Sequence, residues 1–353
     1  MSAGATFGSG QADSATGVVS GRWDIVEGMK PLPPVQPISL ARHGIDRDHL
    51  TRGQDGDLSE IWASGARAVF EYRGTLLVAG GGLFLTDREL VPEGQTEVYL
   101  GRDPQGTRYI GVSLDDDGRS HVDAQLDASR ARDASDLLTA PGEGIDSSEP
   151  VWLPLRHLAE ALDDVQVSLA CEIVGLGNWH RAHRFSPRTG TPTIPVLGGW
   201  VRRDPETGSE HFPRTDPAVI VVIVNTDEDG VERVLLGNNA AWEADRYSLL
   251  AGFVEPGETL EHAVIREIWE EAHLEVTDPQ YLGSQPWPFP CSLMLGFSAV
   301  APSRDFAADE AEIASLRWFT RAELQDAIAN GEVRAPSTIS IAGQLLHSWL
   351  DNA

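Results

Sequence analysis

The sequence predicts an α+β protein built as a β-rich N-terminal region, a short ribbon-like connector and a C-terminal α/β region. Three observations carry this. Short β-prone runs separated by turn residues fill the chain up to about residue 113. Two x2 spacings, Ser186/Thr189 and Asp204/Thr207, are set 14 residues apart in the manner of a ribbon. From Ala218 onward, continuous apolar runs alternate with helical patterns. The expected boundaries are 1–30 for a disordered N-terminus, 31–177 for the β-rich domain, 178–213 for the connector and 214–353 for the C-terminal domain.

Met1 to Gly21 is small, polar and nearly uncharged, without the basic start and apolar centre of a signal peptide. Pro31 to Pro37 reads as a stiff, extended entry. Ala68–Tyr72, Thr75–Ala79, Glu97–Leu100 and Tyr109–Val112 read as strands of an antiparallel module. Gly80-Gly81-Gly82 reads as a hairpin turn, because no helical pattern follows as a phosphate loop requires. Residues 128–149 are polar and acidic, an excursion or linker. Leu153 to Val165 suggests a short helix, and Ser168 to Leu176 a further apolar stretch.

In the connector, Ser and Thr are not ordinary Zn²⁺ ligands, and His180 and His183 beside Trp179 read as packing residues more readily than as replacements. Zinc is therefore not expected. Beyond it, Ile220–Val224 and Val234–Leu236 read as strands around the turn Asp227–Gly230. Tyr247–Leu250 leads to a loop and helix. Tyr281–Leu282, Leu293–Val300 and Leu316–Phe319 extend the sheet, and Arg321–Ile328 and Ile339–Trp349 close the chain as helices.

Composition narrows the chemistry. The formal charge of −27 disfavours binding along a nucleic-acid backbone, although not contact with one strand end. Lys30 is the only lysine and lies in a Pro-rich stretch, so anionic groups must be held by Arg, backbone N–H or metal. No apolar run approaches the ~20 residues of a membrane span. Cys171 and Cys291, distant in sequence, point to a reducing cytoplasm.

The informative stretch is Gly252 to Glu258 followed by Thr259 to Glu271. Thr259 is suited to cap a helix, its hydroxyl accepting from a free N–H of the first turn. At ~100° per residue, Leu260, Ala263, Val264 and Ile268 share one face, and Glu267, Glu270 and Glu271 fall on or beside it. Carboxylates on an apolar stripe are costly without partners, and a divalent cation is the simplest relief. Hard oxygen ligands suit Mg²⁺ or Mn²⁺.

Gly252, Glu258, Arg266, Glu267, Ile268, Glu270, Glu271 and Leu274 stand at the spacing of the Nudix box, which this stretch resembles. His273 departs, standing where the family has Gly at a left-handed turn. Ser284-Gln285-Pro286-Trp287-Pro288-Phe289-Pro290-Cys291-Ser292 resembles the NADH pyrophosphatase branch, which includes enzymes acting on NAD-capped RNA. Phe212 to Pro217 and Ser340-Ile341-Ala342 resemble its other segments, and Ser186, Thr189, Asp204 and Thr207 stand where that branch has zinc cysteines.

The resemblance implies a mixed sheet sandwiched by helices and Mg²⁺- or Mn²⁺-dependent cleavage of NADH or NAD⁺ to (reduced) nicotinamide mononucleotide and AMP, with the NAD cap of RNA as a further substrate. It assigns metal ligation to Glu267, Glu270, Glu271 and Glu312, with Glu310 as a nearby alternative, and to the Gly252 carbonyl. One carboxylate would position the attacking water. Glu258 and Arg266 would pair behind them. Phe253 and Trp287 would flank the nucleotide rings, Gln285 and the Ala342 backbone would make polar contacts, and Phe212 would reach a neighbouring subunit in a homodimer. An ADP-ribose hydrolase and a silent NAD-binding sensor are the competing readings.

Overall fold

The computed structural model describes residues 32–34, 38–53, 57–126, 148–228, 230–309 and 311–352. The expected N-terminal tail, most of the Pro31–Pro37 entry, nearly all of the acidic excursion and the alternative ligand Glu310 lie outside the described residues.

The first sheet is ordered Gly82–Leu83, Thr75–Ala79, Arg67–Tyr72, Arg108–Ser113, Thr96–Arg102, with Leu85–Thr86 and Val151–Pro154 added at the side. It is not purely antiparallel as expected, because Arg67–Tyr72 and Arg108–Ser113 run parallel over five paired residues. The triple glycine does form a hairpin, pairing Ala79 with Gly82. Alternate residues supply the two faces, as a period of two dictates. Val69, Leu76 and Val78 pack on one side against Val167, Ile173 and Val174. Phe70, Leu77 and Tyr99 pack on the other with Ile61, Val122 and Trp152.

The first of those layers is the helix Asp164–Ala182, capped by Asp163 accepting from Gln166 N. The sequence reading missed it as one element, splitting it into an apolar stretch and the start of the connector. The helix runs across the expected 177/178 boundary. Gly175 and Gly177 disguise it. Gly177 is required by close approach: a Cβ there would stand 2.4 Å from Glu71 Oε2. Glu71 is fully buried and accepts from Arg181 at 2.7 and 2.9 Å and from Ser113 at 2.7 Å, fastening helix to sheet. The expected helix from Leu153 is instead the strand Val151–Pro154 and the single turn Leu155–Leu158.

A three-stranded antiparallel ribbon follows, Ile194–Val196, Val201–Arg203 and Glu210–His211. The last sheet is mixed, ordered Thr277–Trp287, Ser292–Val300, Asp216–Thr226, Glu232–Asn239, Ile313–Thr320, with Leu250–Phe253 also paired to Asp216–Thr226. Asp216–Thr226 and Ser292–Val300 are parallel over nine pairs. Val219, Val221 and Ile223 face Val264 and Ile268 of the helix Leu260–Ala272 on one side. On the other, Ile341 and Leu345 of the helix Ile341–Asp351 come down onto Gly296. The molecule is therefore α+β with a helix-sandwiched mixed sheet. No helix of the described residues is long and apolar enough to cross a membrane.

Candidate active site

Thr259 caps the helix Leu260–Ala272, its hydroxyl accepting from His262 N at 3.3 Å. The helix lies beneath the strand Leu250–Phe253, and the three glutamates separate by depth. Glu271 is 8% exposed, and its Oε2 is buried with no hydrogen-bond partner. Its carboxyl is pushed up to about 8, chiefly by burial, then by the charges of Glu267, Glu312 and Asp309, against one hydrogen bond from the Ala251 backbone. The Glu267 carboxyl is also raised, again chiefly by burial. Glu270 does not sit on the apolar side as the helical count suggested. Its carboxylate is 57% exposed.

Arg266 ties the cluster together. It donates to both oxygens of Glu258 at 2.6 and 3.1 Å, to Glu267 at 3.0 Å, to Glu270 at 2.8 Å and to the Phe253 carbonyl at 2.8 Å. Glu258 also accepts from Glu255 N at 2.7 Å, and the Arg266 hydrogen bonds hold its carboxyl well below the usual range. Loop and helix are thereby locked. Gly252 faces Glu267 so closely that a Cβ would lie 1.9 Å from the carboxylate carbon.

The acidic donor set fits a hard divalent cation. One guanidinium is shared by Glu258, Glu267 and Glu270, and Glu271 has an orphaned buried oxygen, which leaves a charge deficit that such an ion corrects. Glu312, on an exposed loop, is near enough for its charge to raise Glu271. Among the described residues no three acidic or imidazole side chains already surround a common point, so closure on a cation requires side chains to swing.

The same sheet walls a cleft of about 510 Å³. Trp242, Tyr247, Trp287, Met294 and Ala342 line it, with Arg156 and Arg246 as its cations. Ile220 lines it too and pairs with Ala251, but alternation turns it away from the face that Val219 and Val221 present to the glutamate helix, so the cleft opens on the other face of the sheet and none of the helix glutamates lines it. Trp287 is half-buried and meets Phe289 edge-to-face at 5.1 Å, its other contacts reaching the N-terminal core. The proline-rich stretch is not a free loop: it is the end of Thr277–Trp287 and a tight turn into Ser292–Val300.

Gln285 is fully buried. It lines the cleft, and its amide donates to the Ile339 carbonyl at 2.7 Å and accepts from Ile341 N at 2.8 Å, so both ends also brace the start of the final helix. Phe253 and Phe212 are 58% and 64% exposed and stand outside the cleft. Sequence reasoning did not find Arg156, Trp242 and Arg246. Arg246 stacks over Trp242 at 4.5 Å, and the sole signal was the general need for arginine at an anion site.

Residues 214–338 match the family model described as NUDIX domain, and residues 181–212 match that of the NADH pyrophosphatase zinc ribbon domain. The NAD-capped RNA hydrolase NudC of Mycobacterium bovis is 39% identical over 321 residues, 88% of this chain and 94% of its own. The chain belongs to the Nudix hydrolase family. The Mycobacterium tuberculosis protein of the same name matches to the same extent. The NAD-capped RNA hydrolase NUDT12 of Homo sapiens is 38% identical over 183 residues, 49% of this chain and 39% of its own.

Within that Nudix frame the ribbon is held by a carboxylate. Asp204, wholly buried, accepts from Thr189 Oγ1 at 2.7 Å and from Glu206 N at 2.9 Å and Thr207 N at 3.3 Å. The Thr189 bond and these amides hold its carboxyl far below the ordinary range. One carboxylate and three hydroxyls, with Thr189 bonded to Asp204 and Thr207 to Ser209, do not fit tetrahedral zinc, which takes thiolate, imidazole or carboxylate ligands. Neither histidine replaces them: His180 is buried, with one ring nitrogen on the Gly199 carbonyl at 2.8 Å and the other facing Arg202 at 2.9 Å. His183 Nδ1 pairs with the Trp179 carbonyl.

Proposed function

We propose that this Nudix hydrolase cleaves the pyrophosphate of NADH and NAD⁺, giving (reduced) nicotinamide mononucleotide and AMP, and removes the NAD cap from RNA. The carrying observation is the pair Glu267 and Glu271, raised chiefly by burial on the helix that Arg266 fastens to the Gly252 strand, in a sheet that also walls an aromatic, arginine-bearing cleft. The resemblance of the Gln285–Ser292 segment and the relatives' names support the dinucleotide over ADP-ribose. The retained glutamates favour an enzyme over a silent sensor.

A divalent cation, Mg²⁺ or Mn²⁺, held by Glu267, Glu270, Glu271, Glu312 and the Gly252 carbonyl, supplies neutralisation of phosphate charge and a more acidic water. The chain's own residues do the rest. Glu271 is the most buried of the three helix glutamates, and one carboxylate of the set would position the attacking water. Arg266 and Glu258 hold the helix against the Gly252 strand. Arg156 and Arg246 bind anionic groups of the substrate, and Trp287 and Trp242 wall its rings. Phe253 and Phe212, exposed rings outside the cleft, are free to meet a nucleotide ring as the resemblance implies, Phe212 from a second copy in a homodimer. Cys171 and Cys291, both unpaired, fit a cytoplasmic enzyme.

The test is product analysis after incubation with NADH, NAD⁺, ADP-ribose and NAD-capped RNA, with and without Mn²⁺. AMP and the mononucleotide should appear, and Glu271→Gln should abolish turnover while circular dichroism stays unchanged. Near-normal NADH cleavage by that folded variant would remove Glu271 from the site. Preference for ADP-ribose would replace the substrate. A monomer in sedimentation would remove Phe212 from it.

A further inference from the structure

We propose that His273 is a positioning residue for the acidic loop, its imidazole tying the segment that carries Glu312 to the end of the glutamate helix. The inference rests on the reading of Glu271 and Glu312 as cation ligands.

His273 terminates the helix with φ 48°, the left-handed conformation that glycine takes without penalty and that histidine takes at a cost. The strain has a visible counterpart. In this conformation Nδ1–H donates to the Ala307 carbonyl at 3.1 Å, and the ring rests on Trp269 at 5.7 Å. The same Ala307 donates its own N–H to the Ala272 carbonyl at 2.9 Å, so one residue of the loop is held from both sides. Two residues on, Asp309 N–H reaches the Glu271 carbonyl at 3.3 Å. The Asp309 carboxylate then accepts from Glu312 N at 3.1 Å and from Ile313 N at 2.8 Å, which fixes where Glu312 leaves the loop. On the far side the Glu312 carbonyl receives Ala240 N–H at 2.8 Å.

Glu312 is thus presented to Glu271 by a chain of backbone bonds whose side-chain anchor at the helix end is His273. A glycine relaxes the backbone but leaves Ala307 with a single tie. Groups that orient a ligand from behind tune metal affinity without touching the metal. Because this bond is exposed, its effect on affinity should fall below the roughly 10- to 100-fold typical of such groups, at about 3- to 10-fold.

The experiment compares the full-length chain with His273→Gly and His273→Asn. Mn²⁺ binding is measured by calorimetry, alongside Tm and the Mn²⁺ dependence of NADH cleavage. His273→Gly should melt no lower than the parent, yet bind Mn²⁺ about 3- to 10-fold more weakly, with kcat at saturating Mn²⁺ little changed. Asparagine tolerates the left-handed turn and places an amide N–H where Nδ1 stood, so His273→Asn should recover most of the affinity. Unchanged Mn²⁺ binding in His273→Gly overturns the proposal, as does failure of the asparagine to restore it at equal Tm. A parent chain that neither binds Mn²⁺ nor cleaves NADH overturns instead the reading of the glutamates on which it rests.

Discussion

Gly252→Ala isolates the geometry of the site from its chemistry, because no acidic group is removed. The added methyl would lie 1.9 Å from the Glu267 carboxylate carbon and 2.0 and 2.2 Å from its oxygens. Ordinary contact begins at 3.4 Å, so the carboxylate must retreat by 3.4 − 1.9 = 1.5 Å. The atoms in the way are the far end of a flexible side chain, and Gly252 has no positive φ, so the strand can keep its pairing with Val219. Misplacement of a catalytic group by ~1 Å costs about 10²-fold, equivalent to about 2.7 kcal/mol of barrier. The expected result is a kcat for NADH near one hundredth of the parent, with Tm within about 3 °C, since a strained side chain on this scale costs about 1 kcal/mol. AMP release by chromatography and a thermal melt measure both. Turnover within about threefold of the parent at saturating Mn²⁺ would mean that the Glu267 carboxylate is not needed where the structure puts it.

Gln285→Leu removes two buried hydrogen bonds and leaves the Ile339 carbonyl and Ile341 N–H unpaired, a loss of about 2–4 kcal/mol. Because Ser340 to Ala342 line the cleft, KM for NADH should rise more than kcat falls; an unchanged Tm would refute the brace. Glu172 is buried and neither oxygen has a hydrogen bond, although Arg47 stands 3.1 Å away, and burial pushes its carboxyl up to about 8. Between the ordinary carboxyl value near ~4.3 and about 8, the folded chain holds a proton that the unfolded chain has released, so stability falls as pH rises through that window. Glu172→Gln escapes that fall, and its Tm advantage over the parent should grow from pH 5 to pH 8 and then level. An advantage independent of pH would show that Glu172 is not protonated in the fold.

Local pattern made much of the site legible. The Thr259 cap and the helix to Ala272 follow from spacing along one strand-loop-helix unit, where neighbours in sequence are neighbours in space, and the resemblance supplied the Arg266–Glu258 pairing. Where burial depends on what lies opposite, the pattern was silent. Glu270 and Glu271 are adjacent in the chain, yet one is exposed and the other buried because only one faces the strand Leu250–Phe253. The resemblance suggested a substrate contact for Gln285, and the cleft does touch it. Its partners at Ile339 and Ile341 lie more than fifty residues away and take up both ends of the amide.

The sequence alone determined the chemistry class: the box glutamates, the proline-braced Trp287 and the hydroxyls standing in for zinc cysteines are residue identities, fixed before folding. Tertiary structure decided how they act. It merged an interrupted apolar stretch into the helix Asp164–Ala182, because Gly177 lets that helix approach Glu71. It made Asp204 the centre of the ribbon, and it turned His273, a departure from the family pattern, into an anchor for the Glu312 loop. Each of those outcomes depends on desolvation and on partners distant in the chain, and neither quantity exists until the sheets and helices close on one another.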